Sequence, residues 1–190
     1  MEYLLIIISA IFVNNIVLAQ FLGVCPFLGV SGRVTTSIGM GGAVLFVMTL
    51  ATIVTYLIQH FILVPLDITF MQTISYILVI AALVQIVEII LKKVSPALFQ
   101  ALGVFLPLIT TNCAILGVAI LVIQNEYNLM ESVTFAIANA FGFTLALLIF
   151  SGIREQLELL DLPEGMKGVP AALLVAGILS MAFLGFTGIV

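Results

Sequence analysis

Two long stretches without any charged residue constrain this chain more than any other feature. The first runs from Tyr3 to Gly32 and the second from Val94 to Asn125. An apolar α-helix needs only ~20 residues to cross the hydrocarbon core of a bilayer, so each stretch is longer than one crossing requires. These stretches predict a membrane-embedded protein with irregular chain inside the bilayer.

The composition agrees with a membrane location. Charged residues make up 7% of the chain and hydrophobic residues 64%, whereas about a quarter of the residues in a soluble domain are charged. The apolar runs lack the period of two that a membrane-spanning β-strand requires, so they favour helices. No basic residue precedes the first apolar segment and five similar segments follow it, so we expect a retained helix rather than a signal peptide. We therefore predict an all-α integral membrane protein.

Charged and turn residues separate six apolar segments. We predict transmembrane helices at roughly 4–24, 37–59, 70–91, 100–123, 131–153 and 169–189. No polar linker divides them, so residues 1–190 are expected to form a single membrane domain. Segments one and four contain Gly and Pro residues, which disfavour a continuous helix, so we expect both helices to be interrupted. The residues expected at these breaks are Gly23, Pro26, Gly29, Gly103, Pro107 and Gly117.

The basic residues predict the orientation. All five lie in the odd-numbered loops between the predicted helices, and they are Arg33, Lys92, Lys93, Arg154 and Lys167. Because positively charged loops stay in the cytoplasm, these loops are expected inside and both termini outside.

A hexapeptide occurs once in each half of the chain. It reads CPFLGV at Cys25–Val30 and CAILGV at Cys113–Val118, and it contains the only two cysteines. If residues up to about 95 and from about 96 onward form equivalent three-helix halves, the odd number of crossings inverts one half relative to the other. Inverted repeats place equivalent positions around an axis in the membrane plane, so Cys25 and Cys113 are expected to face one another near mid-membrane.

The residues alone leave three interpretations of the two thiols. They could pack as inert small hydrophobic groups, form a disulfide, or ligate a soft metal centre such as zinc or an iron–sulfur cluster. Two thiols do not complete a four-ligand set. The single histidine, His60, is predicted at the outer end of segment two, which makes it a poor third ligand. A metal site would therefore need two further ligands from another subunit.

Other polar residues lie within or beside the predicted spans. Thr110, Thr111 and Asn112 adjoin Cys113, where they could hydrogen-bond to a sulfur ligand or cap backbone groups freed by the break. Amides within membrane helices usually bond to a neighbouring helix, and Glu88 is explained either by ion or proton binding or by an i,i+4 pair with Lys92. The amides in question are Asn14, Asn15, Gln85 and Asn139.

Three stretches resemble the A subunits of the Rnf family of membrane complexes. They are VNNIVLAQFLGVCPFLGVS at Val13–Ser31, LGVFLPLITTNCAILGVA at Leu102–Ala119 and SGIREQL at Ser151–Leu157. The likeness runs along essentially the whole chain. The homologous E subunit of the sodium-pumping NADH:quinone oxidoreductase (Nqr) is also similar, but its first cysteine motif usually lacks the VNN and CPF spellings.

The resemblance implies a specific cofactor and function. It implies six helices in two inverted halves and a [2Fe–2S] cluster inside the membrane, with Cys25 and Cys113 at the matching ligand positions. Two cysteines of a homologous subunit of opposite orientation, the Rnf E subunit, would complete the ligand set. The further partners implied are the Rnf B, C, D and G subunits, in a bacterial or archaeal cytoplasmic membrane. Such complexes pass electrons between ferredoxin and NAD and couple this flow to sodium or proton movement.

This chain's expected part is the electron relay. It contains no GxGxxG motif, no P-loop and no CxxCxxC run, so we expect it not to bind the nucleotide itself. A small secondary transporter and a purely structural membrane subunit remain the competing classes, because inverted repeats and broken helices are also typical of transporters.

Overall fold

The computed structural model describes residues 2–66, 69–94, 100, 106–160, 163 and 165–185, and within them it contains helices and turns without any strand. Two π-helical segments, Ser9–Val13 and Gln59–Leu63, continue the first and third α-helices. Val64–Leu66 is a short α-helix and Thr69–Met71 a short 3₁₀-helix. The remaining α-helices are α1 Glu2–Ile8, α2 Val24–Val30, α3 Val34–Ile58, α4 Gln72–Val94, α5 Leu106–Thr110, α6 Cys113–Gln124, α7 Leu129–Glu158 and α8 Val169–Leu184.

Within the part of the chain that the structure describes, four helical stretches are long and apolar enough to cross a membrane. They are Val34–Leu66, Gln72–Ile90, Pro107–Gln124 and Leu129–Glu158. The predicted segments one and six correspond to shorter apolar helices, Tyr3–Val13 and Val169–Leu184. The prediction of an all-helical membrane protein is confirmed for the described residues, and the count of six spans stays a prediction.

The centre of the bundle is the contact between α3 and α7. A Cβ at Gly41 would lie 2.5 Å from Thr144 Cγ2, so glycine lets the two helices approach closely at this point. Buried Met48 of α3 and buried Phe143 of α7 belong to the same apolar core as Val118 of α6. The short helices α2 and α6 therefore pack against this helix pair, and α5 packs against α4 and α2.

The outward faces are apolar rather than charged. On α4, for example, Ile74 is 62% exposed and Leu78 is 67% exposed. Apolar side chains on the outside of a helical bundle are expected where the surrounding solvent is lipid.

The structure confirms that segments one and four are interrupted, but the positions of the interruptions differ from the predicted ones. The first helix ends at Val13 and α2 begins at Val24, while α5 ends at Thr110 and α6 begins at Cys113. The first break precedes Pro26 and Gly29, and the second break lies after Pro107 and before Gly117. Pro26 and Pro107 lie in the first turns of α2 and α5. Proline is tolerated there because the first N–H groups of a helix have no acceptor within the helix. Of the glycines, Gly23 lies at the end of the first break, Gly29 and Gly117 lie inside helices, and Gly103 lies outside the described residues.

The buried amide of Asn15 holds the first break in place. Its Oδ1 accepts from the backbone N–H of Val17 at 3.1 Å, and its Nδ2 donates to Gly142 O at 2.9 Å and Ile11 O at 3.1 Å. Ser180 Oγ of α8 donates to Leu18 O at 2.7 Å. Because water cannot satisfy unpaired backbone groups inside a membrane, these side chains make the irregular segment possible.

Candidate functional site

Both cysteines lie in the first turn of a short helix. Cys25 is the second residue of α2, and Cys113 is the first residue of α6. Both thiols are free; Cys25 is exposed and Cys113 is half-buried. Each copy of the repeated hexapeptide thus begins where the chain re-enters a helix after a break.

A hydrogen bond joins the two copies of the motif. The backbone N–H of Gly23, two residues before Cys25, donates to Cys113 Sγ at 2.9 Å. A hydrogen bond from a backbone amide stabilises negative charge on sulfur, which favours the form that binds metals. The start of α2 and the start of α6 therefore lie side by side.

Gly23 occupies a position that another residue would not tolerate. Its φ of +79° lies in the left-handed region, which side chains with a Cβ disfavour. A Cβ there would lie 3.0 Å from Ala114 Cβ, 3.1 Å from Phe143 Cε2 and 3.2 Å from Asn112 Oδ1. The close approach that directs the Gly23 N–H at Cys113 depends on glycine.

Asn112 caps the helix that begins with Cys113. Its Oδ1 accepts from the backbone N–H of Ala114 at 3.0 Å, as is typical of an N-cap residue. The side chain is 3% exposed. Its Nδ2 is buried and has no hydrogen-bond partner among the described residues. The neighbouring Thr111 instead donates from Oγ1 to Pro107 O at 2.9 Å, so its hydroxyl serves the backbone of α5.

The donor set fits a shared sulfur-ligated centre better than a site built from this chain alone. The described residues include no group of three His, Cys, Asp or Glu side chains that could hold a metal. Exposed His60 is in the π-helical segment after α3 and stacks on Tyr56. Two thiols, one of them accepting a backbone hydrogen bond, are soft donors of the type that metal–sulfur centres use.

The other polar residues of the predicted spans differ in their hydrogen-bond partners and exposure. Asn15 bonds across to α7, which confirms the expected contact with a neighbouring helix. Asn139 instead donates to Phe135 O of its own helix, so the expected cross-helix bond is wrong there. Exposed Asn14 donates to Ser9 Oγ at 3.3 Å. Gln85 is exposed and Glu88 is half-buried on α4, and both stay without an assigned role.

Arg154 has a structural role that its charge alone did not reveal. Its Nη1 donates to Leu28 O at 2.7 Å and to Ser31 Oγ at 2.9 Å. A cation at the C-terminal end of a helix satisfies free carbonyl groups and opposes the helix dipole. Arg154 thus ties α7 to the end of α2, the helix that contains Cys25. The only sequence signal for this role was the position of Arg154 in the stretch SGIREQL, outside the repeated hexapeptide.

Comparisons with known proteins give one consistent result. A family model described as "Rnf-Nqr subunit, membrane protein" matches residues 3–190. The chain is 60% identical over 188 residues to the A subunit of the Na(+)-translocating ferredoxin:NAD(+) oxidoreductase complex of Acetobacterium woodii, covering 99% of this chain and 98% of that protein. It is 55% identical over 187 residues to the A subunit of the ion-translocating oxidoreductase complex of Syntrophotalea carbinolica, covering 98% of this chain and 97% of that protein.

Proposed function

Because the chain belongs to the Rnf-Nqr family of membrane subunits, we propose that it is the A subunit of an Rnf-type complex that couples ferredoxin:NAD oxidoreduction to ion translocation. The names of the Acetobacterium and Syntrophotalea relatives both specify the A subunit, which supports this assignment over the E subunit of Nqr. The chain is then one membrane subunit of a larger enzyme.

Within this complex, we propose that Cys25 and Cys113 supply two ligands of an intramembrane [2Fe–2S] cluster. Two cysteines of a homologous subunit of opposite orientation, the Rnf E subunit, would supply the others. The observation that carries this proposal is the hydrogen bond from Gly23 N–H to Cys113 Sγ, which brings the two distant copies of the motif together. The exposure of Cys25 leaves one sulfur accessible to a second subunit.

The chain's own residues would hold the two sulfur ligands in place. The Gly23 N–H supports negative charge on Cys113 Sγ. Phe27 follows Cys25 by two residues and stacks on Phe150 of α7, with ring centroids 4.3 Å apart. Both rings are buried, so α2 is anchored to α7 by an apolar contact two residues after Cys25. The bound cluster would supply a one-electron relay through the low-dielectric core.

The proposed membrane arrangement completes the assignment. We propose six spans in two inverted halves, about 1–95 and 96–190, in the cytoplasmic membrane with both termini outside. The distribution of the five basic residues supports this orientation. The remaining Rnf components, the B, C, D and G subunits, would take up and deliver the electrons on the two sides.

The experiment is iron analysis combined with electron paramagnetic resonance on the intact purified complex. The proposal expects two iron atoms and a [2Fe–2S] signal assigned to the pair of homologous subunits, in addition to the clusters of other subunits. This signal should also appear when only the two homologous subunits are co-purified. Colourless subunit pairs that catalyse solute uptake would favour the secondary transporter, and colourless pairs without uptake would favour a structural role.

A further inference from the structure

We propose that the side-chain amide of Asn112 donates a hydrogen bond to the sulfur atoms of the centre that Cys113 helps to hold, and so tunes its electron affinity. This inference rests on the proposed function. It assigns Asn112 as a positioning residue next to Cys113.

The first argument is the cost of leaving this amide unpaired. Asn112 is 3% exposed, and its Nδ2 has no acceptor among the described residues. A buried donor without a partner destabilises a protein by about 1–3 kcal/mol, so such groups usually meet an acceptor in the assembled state. An acceptor brought by a bound group would remove this cost.

The second argument is that rotating the side-chain amide by 180° would not satisfy its hydrogen bonds. Its Oδ1 accepts from Ala114 N–H at 3.0 Å. A flipped amide would place its own N–H groups against that backbone donor and would lose the cap of α6. The cap therefore fixes the oxygen toward the helix and leaves the NH₂ group as the free end.

The third argument is location. Asn112 precedes Cys113 directly, and its Oδ1 lies against Gly23, whose N–H donates to Cys113 Sγ. The amide thus belongs to the junction where the two motif copies meet. Cysteine thiolates and bridging sulfides carry negative charge, and hydrogen bonds to charged acceptors are the stronger ones.

Other buried asparagines show that this situation is unusual in the described part of the chain. Asn15 Nδ2 donates to two carbonyl oxygens, and Asn139 Nδ2 donates to Phe135 O. The other buried side-chain atom without a partner there is Ser151 Oγ. Packing of an amide within this bundle therefore does not by itself require an orphaned NH₂ group.

The test replaces Asn112 by serine in the intact complex. Asn112→Ser keeps an N-cap oxygen for Ala114 N–H and removes the NH₂ donor. The matched control is Asn128→Ser, which makes the same change at the exposed N-cap of α7. The measurements are the midpoint potential of the [2Fe–2S] signal and its magnetic coupling to exchangeable protons after transfer to deuterated buffer.

A donor to sulfur stabilises the reduced, more negative state, so its loss should lower the potential. We expect Asn112→Ser to shift the reduction equilibrium about tenfold, which is about 59 mV for one electron. One exchangeable-proton coupling should disappear, and Asn128→Ser should change neither quantity.

An Asn112→Ser complex with the wild-type potential and couplings would overturn the inference while leaving the cluster assignment intact. A wild-type complex without the cluster signal would overturn both proposals. If Asn112→Ser assembles without a cluster, Asn112→Thr keeps a neutral N-cap oxygen without the NH₂ donor. A wild-type potential in Asn112→Thr would overturn the inference, and a lowered potential would support it.

Discussion

Gly23 donates its backbone N–H to Cys113 Sγ at 2.9 Å, across a sequence separation of 90 positions. This contact joins the end of the first helix break to the start of the helix that follows the second break. It makes the two halves of the chain mutually dependent at the cysteines. Changes at either partner should therefore affect both copies of the motif.

Gly23→Ala should separate the end of the first helix break from the start of α6. Alanine disfavours a φ of +79°, at a cost of about 1–2 kcal/mol, and its Cβ would crowd Ala114 Cβ at 3.0 Å. We expect lower thermal stability of the purified complex and weaker retention of iron. Gly42→Ala is the control, because a Cβ there meets no atom within 4 Å. Equal behaviour of the two variants would show that the Gly23 contact is dispensable.

Cys25→Ser and Cys113→Ser should be equivalent defects. Each removes one soft ligand, and a serine oxygen is a poorer donor to iron. We expect either change to abolish or strongly alter the [2Fe–2S] signal and to stop ferredoxin-dependent NAD reduction, both measured on the complex. Full electron transfer and an unchanged spectrum in one variant would refute the ligand assignment of that cysteine.

Asn15→Ala should destabilise the first break without touching the cysteines. The change leaves Val17 N–H without its acceptor and removes the side-chain bond to Gly142 O, which keeps its partner within α7, so it should cost about 1–3 kcal/mol. Unfolding in increasing denaturing detergent measures this loss. The neighbouring Asn14→Ala removes only an exposed 3.3 Å contact to Ser9 and should unfold like the wild type. Similar unfolding of both variants would contradict the proposed role of Asn15.

Arg154→Gln should loosen the end of α2. It removes the positive charge next to Leu28 O and weakens the contact with Ser31 Oγ. We expect faster proteolysis in the loop around Ser31 and increased labelling of Cys25 by a thiol reagent in the cluster-free protein. Arg33→Gln removes a positive charge from an exposed residue near Ser31 and is the control. Wild-type proteolysis and labelling in Arg154→Gln would argue against the anchor.

Reporter fusions test the orientation. A reporter after Val190 should behave as extracytoplasmic, and one near Glu164 as cytoplasmic, because all five basic residues lie in loops predicted to be inside. Alkaline phosphatase and a fluorescent protein report the two compartments. A cytoplasmic C-terminus would contradict both the six-span count and the inverted halves.

The sequence identifies the candidate cysteines because their choice depends on local chemistry. The uncharged runs required helices in lipid, and the paired CPFLGV and CAILGV motifs selected Cys25 and Cys113 before any geometry was known. The break residues were predicted less well. Proline disrupts a helix only beyond its first turn, and the sequence does not state at which residue a turn begins.

The sequence by itself determined that the chain lies in lipid, that it is helical and that it contains the paired cysteine motifs. These properties follow from composition, charge and spacing along the chain. Only the tertiary structure decided which groups meet. The hydrogen bond from Gly23 to Cys113, the bonds of Asn15 to Gly142 and of Arg154 to Leu28, and the unpaired Asn112 amide all depend on how helices pack. A hydrogen bond requires two atoms within about 3 Å, and residues far apart in the chain reach that distance only through the packing of the whole bundle.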